Sequence, residues 1–157
     1  MKILIYGYGN PGRQDDALGI RLTENIEKWI ISENISGVET DCNYQLNIED
    51  AARISESDIV IFADATIEDI DDLAFTTINP DDSKIEFSMH AVSPAFVLDL
   101  CRKIYNKCPE TYLLHIKGYE WDFKEELSSN AIINLEKAIK FTKQKISEFI
   151  KRNRIAK

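Results

Sequence analysis

Little in the sequence offers the usual means of stapling a small protein or caging a metal. The three cysteines, Cys42, Cys101 and Cys108, form no CxxC pair and are odd in number, a usage that fits reduced thiols better than a disulfide framework or a structural zinc site. They are expected to be small buried hydrophobes. Long apolar runs are missing too: none approaches the ~20 residues a membrane-spanning helix needs. Positive charge is in deficit, with 19 basic against 27 acidic residues and a net charge of -8, which opposes binding to phosphate backbones and anionic membrane surfaces. Neither nucleic acid nor membrane is an expected partner. The opening MKILIYGYGNPG has one lysine and no small-residue cleavage site before its glycines. It reads as a first strand of a protein expected in the cytoplasm.

What is present is a regular alternation of elements over 157 residues, a length that suits one domain, 1–157, since domains cluster near ~100–150 residues. Lys2–Tyr6 is a compact β-branched and aromatic run, and Ala17–Ile31 then carries Leu18, Leu22, Ile26, Trp29 and Ile30 at helical spacing. A second strand is expected around Gly37–Cys42, and a short helix over Asn47–Ser55 with Asn47 as its cap. Asp58–Ala63, DIVIFA, is almost wholly apolar, as a central strand covered on both faces should be. From Thr66 to Ser83 the chain turns acidic and irregular around AFTTI, which reads as a solvated loop with a strand inside it. Ser93-Pro94 supplies an N-cap and a first-turn proline for a helix ending near Asn106. Thr111–Ile116 is the next strand, and a long helix runs from Ser128 to a basic end. The expected fold is α/β: a three-layer sandwich with a twisted, mostly parallel sheet of about five strands and helices on both faces.

In such sheets ligands bind at the carboxyl ends of the strands. Three exits there carry groups able to bind a metal or move protons: Asp15-Asp16 after the first strand, Asp64 after the central one, and His90 before the Ser93-Pro94 helix. Two carboxylates and an imidazole suit a divalent transition metal, with nickel, zinc and iron all acceptable. Each residue also has a plainer reading. Aspartate commonly caps helices, which is the favoured role for Asp15 and an even alternative for Asp16; Asp64 could cap a turn, and a lone loop histidine such as His90 is more often structural or solvated than a ligand. His115, inside an apolar strand, reads as a packed or edge residue.

GYGNPG, residues 7–12, satisfies G-x-G-x-x-G literally, so a dinucleotide-binding domain is one alternative. The acidic ribose partner should follow at ~20 residues, and Asp41 comes late for it. Pro11 removes an amide donor, and Asp15-Asp16 would bring negative charge to the phosphates.

The same residues resemble the hydrogenase maturation endopeptidases, which trim the C-terminus of the large subunit of nickel-iron hydrogenases. That family opens with a strand, G-x-G-N, an acidic pair and x-x-G, matched by Gly7, Gly9, Asn10, Asp15, Asp16 and Gly19. Its aspartate ending an apolar strand is matched by Asp64 in IVIFADA, and its histidine before a Ser-Pro helix start by His90 in MHAVSP. YQLNIEDAARISESD is similar to its Q-L-x-x-E-x-A stretch. The resemblance runs from Ile3 through a strand ending near Trp121 and into the final helix. Ala17 stands where many members have glycine, and GYEWDFKEELS matches only loosely. The resemblance implies an endopeptidase in which Asp16, Asp64 and His90 serve as catalytic and metal-recognising residues. Its partner would be a hydrogenase large-subunit precursor that itself carries the nickel. A non-proteolytic chaperone sensing metal in the same precursor is the alternative from the binding class.

Overall fold

A computed structural model describes residues 1–82 and 92–155. The strands are β1 (Ile3–Tyr8), β2 (Val38–Asn43), β3 (Ile59–Thr66), β4 (Leu73–Ile78) and β5 (Glu110–Lys117). The helices are α1 (Leu18–Ser32), α2 (Asp50–Ile54), α3 (Pro94–Tyr105) and α4 (Ser129–Ile155). The five strands form one sheet in the order β2-β1-β3-β5-β4, parallel except for β4, which pairs antiparallel with β5 at the edge. β3 is central, as its apolar run requires.

Alternation along the strands divides the core in two. Ile3, Ile5, Ile59, Ile61, Leu114 and Ile116 face one side, where they pack with α1 and α4; Leu4, Tyr6, Val60, Phe62 and Leu113 face the other, with α2 and α3. This is the expected helix, sheet, helix sandwich, and it arises because successive side chains of a strand point to opposite faces. α3 begins as its sequence dictates: the Ser93 side chain accepts from the Phe96 amide at 3.2 Å, Pro94 opens the first turn, and Asn106 closes it in the left-handed region.

Three local expectations are corrected. The helix expected over Asn47–Ser55 shrinks to Asp50–Ile54 because Asn47 does not cap it: the Asn47 side chain donates to the Gln45 carbonyl, while its amide donates to Asp50 Oδ2 at 2.7 Å. No strand runs to Trp121, since β5 stops at Lys117 and residues 118–128 form an irregular segment. All three cysteines are free, but only Cys101 is buried; Cys42, within β2, and Cys108, between α3 and β5, are exposed.

Candidate functional site

The carboxyl edge of the sheet is assembled around two glycines. Gly9 lies at φ +140, and a Cβ there would sit 2.0 Å from the Asp16 carbonyl oxygen. At Gly19 a Cβ would sit 2.2 Å from the Ala63 carbonyl oxygen and 2.8 Å from that of Tyr8. Only hydrogen fits at either place. Gly19 thus lets the first turn of α1 lie against the ends of β1 and β3, and Gly9 lets the loop after β1 fold back on Asp16. A 3-10 turn over Gln14–Ala17 carries the acidic pair into this corner.

The two aspartates of the pair have different tasks. Asp15 is fully buried and caps nothing; this corrects the expectation for it. Its Oδ2 accepts from the amides of Tyr119 at 2.7 Å and Glu120 at 2.9 Å and from Ser128 Oγ at 2.6 Å, and its Oδ1 accepts from the Ser128 amide at 2.8 Å. Burial works against its charge, yet the Ser128 hydroxyl and the three amides outweigh it and hold the carboxyl below its ordinary range. Gln14 adds two more ties, donating to Glu120 Oε2 at 2.9 Å and accepting from the Asp122 amide at 3.0 Å. Residues 118–128 are therefore strapped across the first loop, next to Asp16.

Asp16 is half-buried and turns the other way, accepting from the Asn10 amide at 2.8 Å. Other amides of the loop are used internally as well: Gly9 donates to the Asn43 carbonyl at 3.2 Å, Gly12 to Asn10 Oδ1 at 2.9 Å, and Arg13 to the Asn10 carbonyl at 3.1 Å. A pyrophosphate needs those hydrogens free. Asp41, the late candidate for a ribose contact, is paired with Arg53 at 3.0 Å. The loop is thus built as a closed turn, and its literal glycine pattern serves close backbone approach.

Asp64 does not end its strand, as the sequence suggested, but lies two residues inside β3, because pairing with β5 continues to Thr66↔Lys117. It is half-buried, and Tyr8 at the end of β1 donates its hydroxyl to the carboxyl group. The Asp64 pKa is pushed up to about 7: burial is the main cause, the nearby charge of Asp16 adds to it, and the Tyr8 hydroxyl and Ala65 amide oppose it. Burial and the Asp64 charge hold the Tyr8 phenol well above its ordinary value. Asp16 and Asp64 are therefore brought together, as expected, with one of them uncomfortable in its ionised form. A cation between them would relieve both the burial and the repulsion, so the donor pair fits a divalent metal. His90 lies outside the described residues, and among the described residues no group of three or more His, Cys, Asp or Glu is close enough to hold a metal.

One residue of this edge escaped the sequence reading: Tyr8 closes an apolar strand and looks like core. His115, expected to be packed or at an edge, is packed and half-buried in the interior strand β5, as the register partner of Asp64.

The fold is that of the hydrogenase maturation endopeptidases. The hydrogenase maturating endopeptidase HybD from E. coli superposes with a TM-score of 0.74 at 21% identity, over 94% of this chain and 93% of that one. The NiFe hydrogenase maturation protease HycI from Thermococcus kodakarensis gives 0.71 at 20% identity, over 90% and 89%. A hydrogenase 2 maturation peptidase from a Thaumarchaeota archaeon gives 0.65 at 17% identity, over 94% and 99%. At these identities the likeness establishes the fold. No protein-family model matches the sequence, and no curated protein matches it.

Proposed function

We propose that this chain is a hydrogenase maturation endopeptidase that removes the C-terminal extension of a nickel-iron hydrogenase large-subunit precursor once nickel has been inserted. The observation that carries this reading is the pairing of Asp16 and Asp64 at the carboxyl edge of a maturation-protease fold, with Asp64 held at a pKa of about 7 by burial and by its neighbour's charge. In this reading His90 joins them as the third recognising group, and the nickel belongs to the substrate.

The chemistry follows from the charge state of Asp64. Near neutral pH its carboxyl is about half protonated, the condition in which a carboxylate best exchanges a proton with a reacting water or amide. A nickel ion presented by the precursor supplies positive charge, favours the ionised carboxylate and can polarise a bound oxygen. Cleavage is then conditional on metal loading because the site is completed only when the ion arrives.

The surroundings suit a protein substrate. Tyr44, Ile48, Ile67, Tyr119 and Phe123 are exposed in loops that follow the carboxyl ends of β2, β3 and β5. Phe123 is held in place, 84% exposed, with the Arg13 guanidinium 5.1 Å from its ring centroid. Exposed aromatic and aliphatic groups around a polar centre are what a protein partner buries. Intact-mass spectrometry of a nickel-loaded large-subunit precursor incubated with this protein tests the reading, beside a nickel-free precursor and the Asp16→Asn variant. Loss of a defined C-terminal peptide only with nickel and the unaltered protein is expected. Complex formation without any mass change would turn the assignment to the metal-sensing chaperone.

A further inference from the structure

Residues 118–128 lie beside Asp16 without forming helix or strand, yet they are held at many points. Besides the bonds to the Asp15 and Gln14 side chains, the Gln14 amide donates to the Lys124 carbonyl at 2.7 Å, the Asp15 amide to the Glu120 carbonyl at 3.1 Å, and Arg13 Nη2 to the Trp121 carbonyl at 3.3 Å. At the end nearest β5, the Gly118 amide donates to the Thr66 carbonyl at 2.9 Å, and Asn134 Nδ2 to the Tyr119 hydroxyl at 3.0 Å. Fixing a backbone costs conformational entropy, and burial returns little of it here, since Tyr119, Glu120 and residues 122–126 are all exposed. Phe123 is 84% exposed, with the Arg13 guanidinium over its ring. A surface fixed in advance loses less freedom when a partner covers it.

The charge of this rim says what kind of partner that is. Glu68, Asp69 and Asp71 on the loop after β3, and Asp122, Glu125 and Glu126 on residues 118–128, are exposed and take part in no ion pair among the described residues. The two loops are joined, because Lys117 Nζ donates to the carbonyls of Ile67 and Glu68. Lys117 is thus committed to backbone oxygens, and Arg13 to Phe123 and the Trp121 carbonyl. Unpaired charges of one sign repel one another in the free protein and attract a partner of the other sign. A second copy of this chain, with its net charge of -8, would set acid against acid. A basic segment removes the repulsion while it covers the apolar groups.

We infer that residues 118–128 and the loop after β3 form the docking surface for a positively charged segment of the hydrogenase large-subunit precursor, with Phe123 as the apolar anchor that this segment covers. This inference rests on the reading of the chain as a maturation endopeptidase and adds to it a determinant of which precursor is accepted. The bonds from Tyr119, Glu120 and Ser128 to Asp15 hold that surface against the turn that carries Asp16. Recognition of the precursor's own chain and recognition of its metal thus fall to different residues of one rim.

The test measures binding of the nickel-free large-subunit precursor from the same organism, which a nickel-gated protease leaves uncut, by surface plasmon resonance. The wild type should bind it, with an association rate that falls about tenfold as salt rises from about 0.05 to 0.5 M. Phe123→Ala should raise the Kd about thirtyfold, the loss expected of an interface anchor, with an unchanged thermal melt, since the side chain it removes is exposed. Glu125→Lys combined with Glu126→Lys should slow association about tenfold and flatten its salt dependence. Wild-type binding by either variant, wild-type binding that salt does not weaken, or no binding by the wild type would overturn the inference. A wild-type dimer that Phe123→Ala disperses in size-exclusion chromatography would overturn it too, because the surface would then serve a second copy of the chain. In each of these cases nickel-dependent loss of the C-terminal peptide, read by intact mass, decides the endopeptidase reading separately.

Discussion

Asp64→Asn keeps the shape of the side chain and an oxygen that accepts from Tyr8, while removing the negative charge. In the folded protein the Asp64 carboxyl stands at about 7, against an ordinary value of 3.8, chiefly because burial disfavours its charge. The native state therefore holds this proton more tightly than the unfolded chain does, and stability falls as pH rises from ~4 to ~7 and then levels off. At ~1.4 kcal/mol per unit, the raised pKa destabilises the fold by at most about 4 kcal/mol near pH 8, where the buried carboxylate is ionised, and by about 1.5 kcal/mol near pH 5, where the folded carboxyl must take up a proton that the unfolded chain has released. Asparagine carries no such penalty. The variant should accordingly gain about 2–3 kcal/mol more over the wild type near pH 8 than near pH 5, which for a chain of this size is roughly 5–10 °C in melting temperature. It should also accumulate uncleaved precursor. Thermal melts of both proteins at the two pH values, followed by circular dichroism, measure the difference. A gain that is equal at both pH values, or a variant that melts below the wild type near pH 8, would refute the claim that a buried charge sits at this position.

Two further substitutions probe the groups beside it. Asp15→Asn replaces an acceptor of four hydrogen bonds by a group that turns donors toward donors, and should destabilise the protein by about 3 kcal/mol in urea titration. Because the Asp15 carboxyl is held low by those donors against its burial, its contribution is present above ~pH 4 and disappears as pH falls through the folded value, so wild type and variant should converge in acid; a loss below about 1 kcal/mol at neutral pH would mean that the strap is held by other contacts. Tyr8→Phe deletes the hydroxyl that pulls the Asp64 pKa down, so the titration of the Asp64 carboxyl carbon, followed by carbon NMR, should move to higher pH, and the acid limb of precursor cleavage should move with it. A midpoint that stays or falls contradicts the hydrogen-bond argument.

What could be read from the sequence was whatever depended on neighbours along the chain. The change from strand to helical spacing located β1 and α1 within two residues of their ends, and Ser93-Pro94 marked the start of α3 because a cap and a fixed proline φ act within one turn. The DIVIFA run identified the central strand because burial on both faces leaves an uninterrupted apolar stretch. Partners distant in sequence were not legible. Asp15 looked like a cap because aspartate before a helix usually is one, but its acceptors are used 104 to 113 residues further on. Likewise the place of His115 beside Asp64 was not legible, because nothing local says which residue of β3 it will face. Strand order and register decide that, and a slip of one residue would have sent it into the opposite core. The pair Asp16 and Asp64 was accessible only because ligands in open α/β sheets gather at the carboxyl edge. That rule names the edge but not the depth of Asp64 within β3, and the depth is what raises its pKa.

A protease whose task is to wait for metal in its substrate should not be able to load itself from solution. A site that bound free transition metals tightly would leave cleavage insensitive to the state of the precursor. Asp16 and Asp64 follow a different logic. One of them is about half neutral near pH 7, so a free ion must displace a proton and be stripped of water for the sake of a few open positions. In the proposed reaction a nickel ion already fixed in a folded precursor would bring its other ligands with it, and docking would cover the exposed apolar groups around the edge. The ion so positioned would drive the proton off Asp64. On this account the discomfort of Asp64 in the free protein is the source of selectivity. A variant with a better site for free metal, made for instance by Tyr8→His beside Asp64, should bind nickel more tightly and discriminate less between loaded and unloaded precursor. Retained discrimination despite tighter metal binding would show that the precursor's surface, rather than its nickel, opens the gate.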